Sequence, residues 1–367
     1  MTLTYLRLLL LTALSLLLSS CCETIHEHPE GGCAELTLTM NIKKAGPELY
    51  TVIEYDGSNK TIYDAKNYDI FSRADMRSTL AEHLARTAVD PEKWDLRLTW
   101  ELYSGTRDHI KNGTAALLER QSTAVDYSTD APSHTISVNL PAGLYTLLCW
   151  ADFVPKGTLD DYYYDTTSLR TVLSDFSLRR NCENNDQRDC FAQAYDFEVE
   201  SVSYSGESRH YSTTLIRPQG RYVILATDYA TYFRLTDTPV EENRVEVNYP
   251  SWINVGYNVL TQYPNAGEEG LSYSMHPRIY DFDSRRMICV GDDYSFVNGE
   301  ISYVTANLGV YTPREEKLSE NRNIEIPLYA DKLTVVIGKF LATSGGSGGI
   351  VIDDGFTDEI VIPLPTN

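Results

Sequence analysis

Few residues of this chain have the type and spacing for covalent chemistry. Gly345-Gly346-Ser347-Gly348-Gly349 fits G-x-S-x-G, the pattern that lifts a nucleophilic serine onto a sharp turn between a strand and a helix. A strand-like VVIGKFLA precedes it, but a second strand-like run, IVIDD, follows where the helix should start, so the five small residues read as a hairpin loop. His26-Glu27-His28 could offer two imidazoles to a metal. No third or fourth ligand lies near, and the triplet reads as part of a solvated spacer. Asp353, Asp354, Asp358 and Glu359 lack the D-x-[DN]-x-[DN]-G spacing of a calcium loop and read as a solvated turn. Carboxylate pairs for glycoside hydrolysis have 52 candidates, none marked by its context. No catalytic residue, metal site or cofactor is expected.

The thiols say more. Arg7 is followed by an apolar run from Leu8 to Leu18, then Ser19, Ser20 and Cys21. One positive charge, a short apolar core and small residues make a secretory signal. The apolar run is about eleven residues, too short for a bilayer that needs ~20. A cysteine directly after the small residues resembles the lipobox of bacterial lipoproteins. That resemblance assigns residues 1–20 to a signal peptide and Cys21 to lipidation, after which acyl chains hold the body at a membrane. Cys22 is a poorer acceptor, because Cys21 rather than a small serine would precede it. Residues 21–34, polar with Pro29, Gly31 and Gly32, form a flexible tether. Cys182 and Cys190 flank ENNDQRD and make a candidate disulfide closing a short loop in an oxidising compartment. Cys149, inside YTLLCW, reads as a small buried hydrophobe.

Composition limits the partners. Lys and Arg number 31 against 52 Asp and Glu, a net charge of −21 spread along the chain. Such a surface repels nucleic acid and anionic headgroups, so no nucleic-acid partner is expected. With 26 tyrosines and 42% hydrophobic residues the chain is not a disordered one. Most of it has the period-two patterning of strands. In ELTLTMNI, Leu36, Leu38, Met40 and Ile42 alternate with polar neighbours. Leu96, Leu98, Trp100 and Leu102 point inward from the next clear strand, with Asp95, Arg97, Thr99 and Glu101 outward. LYTLLCWADFV is apolar on both faces and should lie mid-sheet between layers. One helix interrupts, where Ser72 and Asp75 resemble a capping box and Met76, Leu80 and Leu84 share a face. The Tyr-rich stretch 160–206 reads as surface excursions. Around Thr213 the pattern begins again with LIRPQGRYVILATDY, and short strands with turn signals run to the end. The fold class expected is all-β with β-sandwiches, in two domains at 35–212 and 213–367 and with a short helical excursion in the first.

Several stretches resemble one family together and in order. They are the lipobox at Cys21, LPAGLYTLLCWADFV, RDCFAQAYDF, LIRPQGRYVILATDY, YPSWINVGYNVLT, IPLYADKLTVVIGKFL and IDDGFTDEIVI. Together they resemble the two-domain fimbrillin-type lipoproteins of Bacteroidetes, in the anchor-like branch. The resemblance implies two tandem transthyretin-like Greek-key β-sandwiches, an outer-membrane lipid anchor and a structural role at the base of surface fimbriae. It also implies strand exchange with fimbrial (pilus) subunits. The segment offered would be EIVIPLP, with Ile360, Ile362 and Leu364 as the donor residues, or else that end closes its own sheet. The chain departs from the family in carrying Cys190 where alanine is usual, and in the helix near 72–86. The alternative is a glycan-binding surface lipoprotein whose loops present aromatics such as Tyr162, Tyr163 and Tyr164 to sugars. Asp165-Thr166-Thr167 is similar to a short bacterial O-glycosylation signal.

Overall fold

The computed structural model describes residues 33–57, 59–71, 73–85, 89–175, 185–200, 208–282 and 285–342. Strand β1 (Ala34–Ile42) comes first, then β2 (Glu48–Asp56), β3 (Asn59–Asp64) and helix α1 (Ala74–Ala85). Next are β4 (Trp94–Ser104), α2 (Arg107–Lys111), β5 (Leu117–Val125), β6 (Ser133–Leu140) and β7 (Gly143–Pro155). Short β8 (Tyr164–Asp165) and β9 (Val172–Ser174) precede β10 (Cys190–Val199), β11 (Ser208–Leu215) and β12 (Gln219–Ala226). After α3 (Tyr229–Leu235) run β13 (Arg244–Tyr249), β14 (Ile253–Asn258), β15 (Tyr263–Glu268) and β16 (Leu271–Met275). The last are β17 (Arg278–Phe282), β18 (Arg285–Phe296), β19 (Ser302–Tyr311), β20 (Lys317–Leu328) and β21 (Lys332–Gly338).

These strands make two sandwiches. In the first, a three-stranded sheet ordered β11-β1-β6 faces a four-stranded sheet ordered β10-β7-β4-β5. Their shared core holds Leu36, Leu38, Leu98, Trp100, Leu147 and Phe153. In the second, a six-stranded sheet, β17-β18-β12-β21-β2-β3, faces a four-stranded one, β16-β13-β19-β20. The expected all-β sandwich architecture is present.

Strand β7 sits where its two apolar faces require. Leu147, Cys149, Ala151 and Phe153 enter the first core, while Leu148 and Trp150 face the opposite way into another buried cluster. That cluster also takes Tyr163, Tyr164, Leu169 and Val172, together with Tyr257 of β14 and with Phe296 of β18 in the second sandwich. A small sheet, β15-β14-β9-β8, accompanies it. Part of the stretch from 160 onward is therefore core, contrary to its reading as surface: Tyr163, Tyr164, Leu169 and Val172 are buried, while Asp160, Asp161 and Tyr162 are exposed. Tyr163 and Tyr164 fill the seam beside Trp150 and Phe296, a surface that sequence periodicity does not display.

Two further expectations are corrected. The hairpin β2–β3 and helix α1 lie within the expected first domain by sequence, yet they pack on the second. Strand β2 pairs in parallel with β21, Val52 opposite Val335 and Ile53 opposite Val336. A parallel partner must come from a distant segment, so no local signal announces it. The side chains of α1 follow: Met76 and Leu80 join the second core, and His83 stacks on Tyr280 with ring centroids 4.8 Å apart. Most of the outward face of β4 is also buried, Asp95 at its start being half-buried. Arg97, Thr99 and Glu101 are covered, with Arg97 bound to Asp152, Asp161 and the carbonyl of Leu159.

Candidate functional site

The most unusual seat in the fold is that of β1. It runs parallel to β11, from Glu35 opposite Ser208 to Ile42 opposite Leu215. On its other side it is antiparallel to β6, from Ala34 opposite Leu140 to Asn41 opposite Ser133. Its backbone is thus paired along both edges. Ala34, Leu36, Leu38, Met40 and Ile42 are buried, and each large apolar side chain contributes roughly 1.5–3 kcal/mol. Outward residues make only light contacts, such as Asn41 Nδ2 donating to Ser212 Oγ at 2.9 Å. Without β1, β11 and β6 would share no ladder.

Where β1 ends, the chain crosses to the second sandwich through a cluster of charges. Lys43 pairs with Asp331, and Lys44 Nζ donates to the carbonyl of Thr129 at 2.9 Å while lying 5.0 Å above the Tyr127 ring. Arg217 donates to the carbonyls of Lys43 and Ala45 and to Asp189. Deeper in the seam, Arg221 binds Asp186 and Asp292, Arg278 binds Asp292, and Arg188 reaches Asp293 at 3.2 Å. Tyr249 Oη donates to Asp293 at 2.6 Å and bonds Tyr222 Oη at 2.6 Å. Burial pushes the Asp189 carboxyl up against the pull of Arg217. Burial acts the same way on Asp292, yet Arg221 and Arg278 together hold it below the usual carboxylate range. Lys44, Asp186, Asp189, Arg217 and Arg221 also line a cavity of about 370 Å³, and the charges are paired with one another across the seam, which holds its parts together.

Sequence reading missed this network. The signal was present as charges embedded in apolar strands: RDC at 188–190, IRPQGR at 216–221 and GDD at 291–293. Of the residues singled out in the sequence, Cys21, Cys182, Ile360, Ile362 and Leu364 lie outside the described residues, as do Ser347 and the His26–His28 triplet. Cys190 is a buried free thiol, pushed well above the usual thiol range by burial. Tyr162 is at the surface, but Tyr163 and Tyr164 are buried and cannot serve as a sugar platform. Thr166 is buried too, its Oγ1 donating to Asp161 at 2.7 Å, which takes it out of reach of a glycosyltransferase. Among the described residues no three His, Cys, Asp or Glu side chains gather to hold a metal, and no helix is long and apolar enough to cross a membrane.

Fold and seat define a class: a two-sandwich β protein whose N-terminal strand is the middle rung of its first sheet. A family model described as a family of unknown function, DUF6562, matches residues 61–365, and the chain belongs to that family. No curated protein matches. Among solved structures the chain is similar to a candidate cell adhesion protein of Bacteroides eggerthii, at 12% identity, with 87% of this chain and 90% of that one covered and a TM-score of 0.39. It is also similar to the fimbrial anchor protein Mfa2 of Porphyromonas gingivalis, at 10% identity, 78% and 82% coverage and a TM-score of 0.34. The tip fimbrial protein Mfa3 of the same organism, with a C-terminal truncation, gives 10% identity, 80% and 81% coverage and a TM-score of 0.35. All three are weak superpositions.

Proposed function

We propose that this chain is a lipid-anchored cell-surface protein of the fimbrial or adhesin type, held to the outer membrane through Cys21 and serving as anchor or assembly component of a pilus. The seat of β1 is the observation that carries the reading. A strand paired along both edges, with alternate side chains in the core, is the arrangement in which one chain's segment can be exchanged for another's. In a shaft subunit that first strand would be cut away after a Lys or Arg, and a neighbour's strand would fill the slot. An anchor keeps β1, because the lipid lies at its N-terminal end. Lys43 and Lys44 follow β1 directly and mark where such a cut would fall. The segment offered to a neighbour is EIVIPLP, through Ile360, Ile362 and Leu364.

The test is the N-terminus of the mature protein taken from cells. Mass spectrometry is expected to find diacylated Cys21 continuous with the β1 peptide. A mature start at Lys44 or Ala45 would make the chain a shaft-type subunit and overturn the anchor reading. Cys21→Ser is expected to leave the protein folded and release it from the detergent phase; unchanged partitioning would remove the lipid from the proposal.

A further inference from the structure

Trp252 ends the turn between β13 and β14 and remains 60% exposed. An indole gains more from burial than almost any side chain, so a solvent-facing one needs a reason. It is also held in place. The ring lies on the backbone of Gly267, which sits opposite Asn254 on the edge strand β15. A Cβ at Gly267 would overlap the indole Nε1. The φ of Gly267 is not in the left-handed region, so its backbone does not call for glycine. Glycine inside a strand weakens it and marks a close approach; here the approach is that of Trp252.

The start of β19 brings a second exposed ring, Tyr303 at 56%, to the same place. Trp252 and Tyr303 both line a depression of about 210 Å³. Its polar lining is Asn254, Ser295, Asn298 and Ser302. Two of these side chains are fixed: Asn254 Nδ2 donates to the Phe296 carbonyl at 2.9 Å, and Ser302 Oγ accepts the Asn298 N–H at 2.7 Å. No carboxylate, ammonium or guanidinium lines the depression. In a chain with 52 acidic and 31 basic residues that is a selective composition. The cavities beside Arg286, Arg217 and Arg170 all carry charged side chains.

We propose that this depression binds one ring of a neutral glycan. The apolar face of a pyranose stacks on an exposed aromatic ring, and its hydroxyls both donate to and accept from amides and serine hydroxyls, the lining found here. A small concave site with a few fixed polar groups sets orientation. Phosphate-bearing ligands would find no cation, and anionic sugars would meet an acidic protein. This site is independent of the pilus reading: it lies where the small sheet, through β14, meets β18 and β19 of the second sandwich, and neither β1 nor Cys21 takes part.

The experiment titrates the full-length mature protein with maltohexaose, cellohexaose and mannohexaose at millimolar concentration, followed by calorimetry and tryptophan fluorescence. Polygalacturonate is the anionic comparison. At least one neutral oligosaccharide is expected to bind, with affinity reduced about tenfold or more in Trp252→Ala and in Tyr303→Ala, the loss of one stacked ring. Gly267→Leu, which keeps the indole but drives it from its seat, is expected to weaken binding similarly. Tyr303 is a surface ring, so its variant reads the site even if Trp252→Ala is unstable. Absence of binding by all three oligosaccharides overturns the proposal. So does equal affinity in wild type and Tyr303→Ala, or tighter binding of polygalacturonate.

Discussion

Arg217 Nε donates to both carboxylate oxygens of Asp189, at 2.7 and 2.8 Å, with the arginine side chain 2% exposed. The same guanidinium holds the carbonyls of Lys43 and Ala45, where the chain leaves the first sandwich. One ion pair thus pins the crossover. Removing one partner of a buried pair strands the other charge and costs about 3–5 kcal/mol. Asp189→Asn and Arg217→Met are each expected to destabilise by about that amount in urea unfolding. A loss below about 1 kcal/mol in both would show that the seam relaxes around the vacancy.

The two faces of β1 should respond differently to truncation. Leu38 lies in the first core and Thr37, its neighbour, faces outward. Leu38→Ala is expected to cost about 2–5 kcal/mol through lost burial and a cavity. Thr37→Ala should stay within about 0.5 kcal/mol. Equal effects in denaturant unfolding would mean that β1 does not keep its register in solution.

Burial pushes the Asp152 carboxyl up to about 6, against the pull of Arg97 beside it. Its folded value lies above the unfolded one of 3.8, so the folded state holds an extra proton between those values. Stability from this group is greatest below that window and falls as pH rises through it, on the order of 3 kcal/mol in all. Urea midpoints measured across the window should fall more steeply in wild type than in Asp152→Asn, which cannot titrate. Parallel profiles would contradict the assignment.

Asp228 stands just before α3 yet spends its carboxylate elsewhere. It accepts backbone N–H groups from Phe340, Leu341 and Ala342 at 3.0–3.2 Å, clamping the chain as it leaves β21. Asp228→Ala would leave buried donors unpaired, at about 1–3 kcal/mol. Amide exchange at 340–342 is expected to accelerate well beyond that of β21 itself. Equal acceleration along the whole strand would indicate global destabilisation instead of a released clamp.

What could be known from the chain alone was local. Alternation in ELTLTMNI marked β1 and its inward residues, because a strand buried on one face must repeat every second residue. The unbroken apolar run of β7 announced a strand covered on both sides. Met76, Leu80 and Leu84 marked a helix face. None of these patterns names a partner. Strand pairing is made by backbone groups that every residue carries, so the tertiary structure alone decided that β2 lies beside β21 and that α1 covers the second sandwich. Charge is similarly ambiguous in sequence. Arg97, Arg217 and Asp292 look like solvated residues until a second surface closes over them, and then their pairing is obligatory, because an unpaired buried charge is too costly to keep. Trp252 on Gly267 follows the same logic: two unremarkable residues become a platform only when a turn and an edge strand bring them into contact.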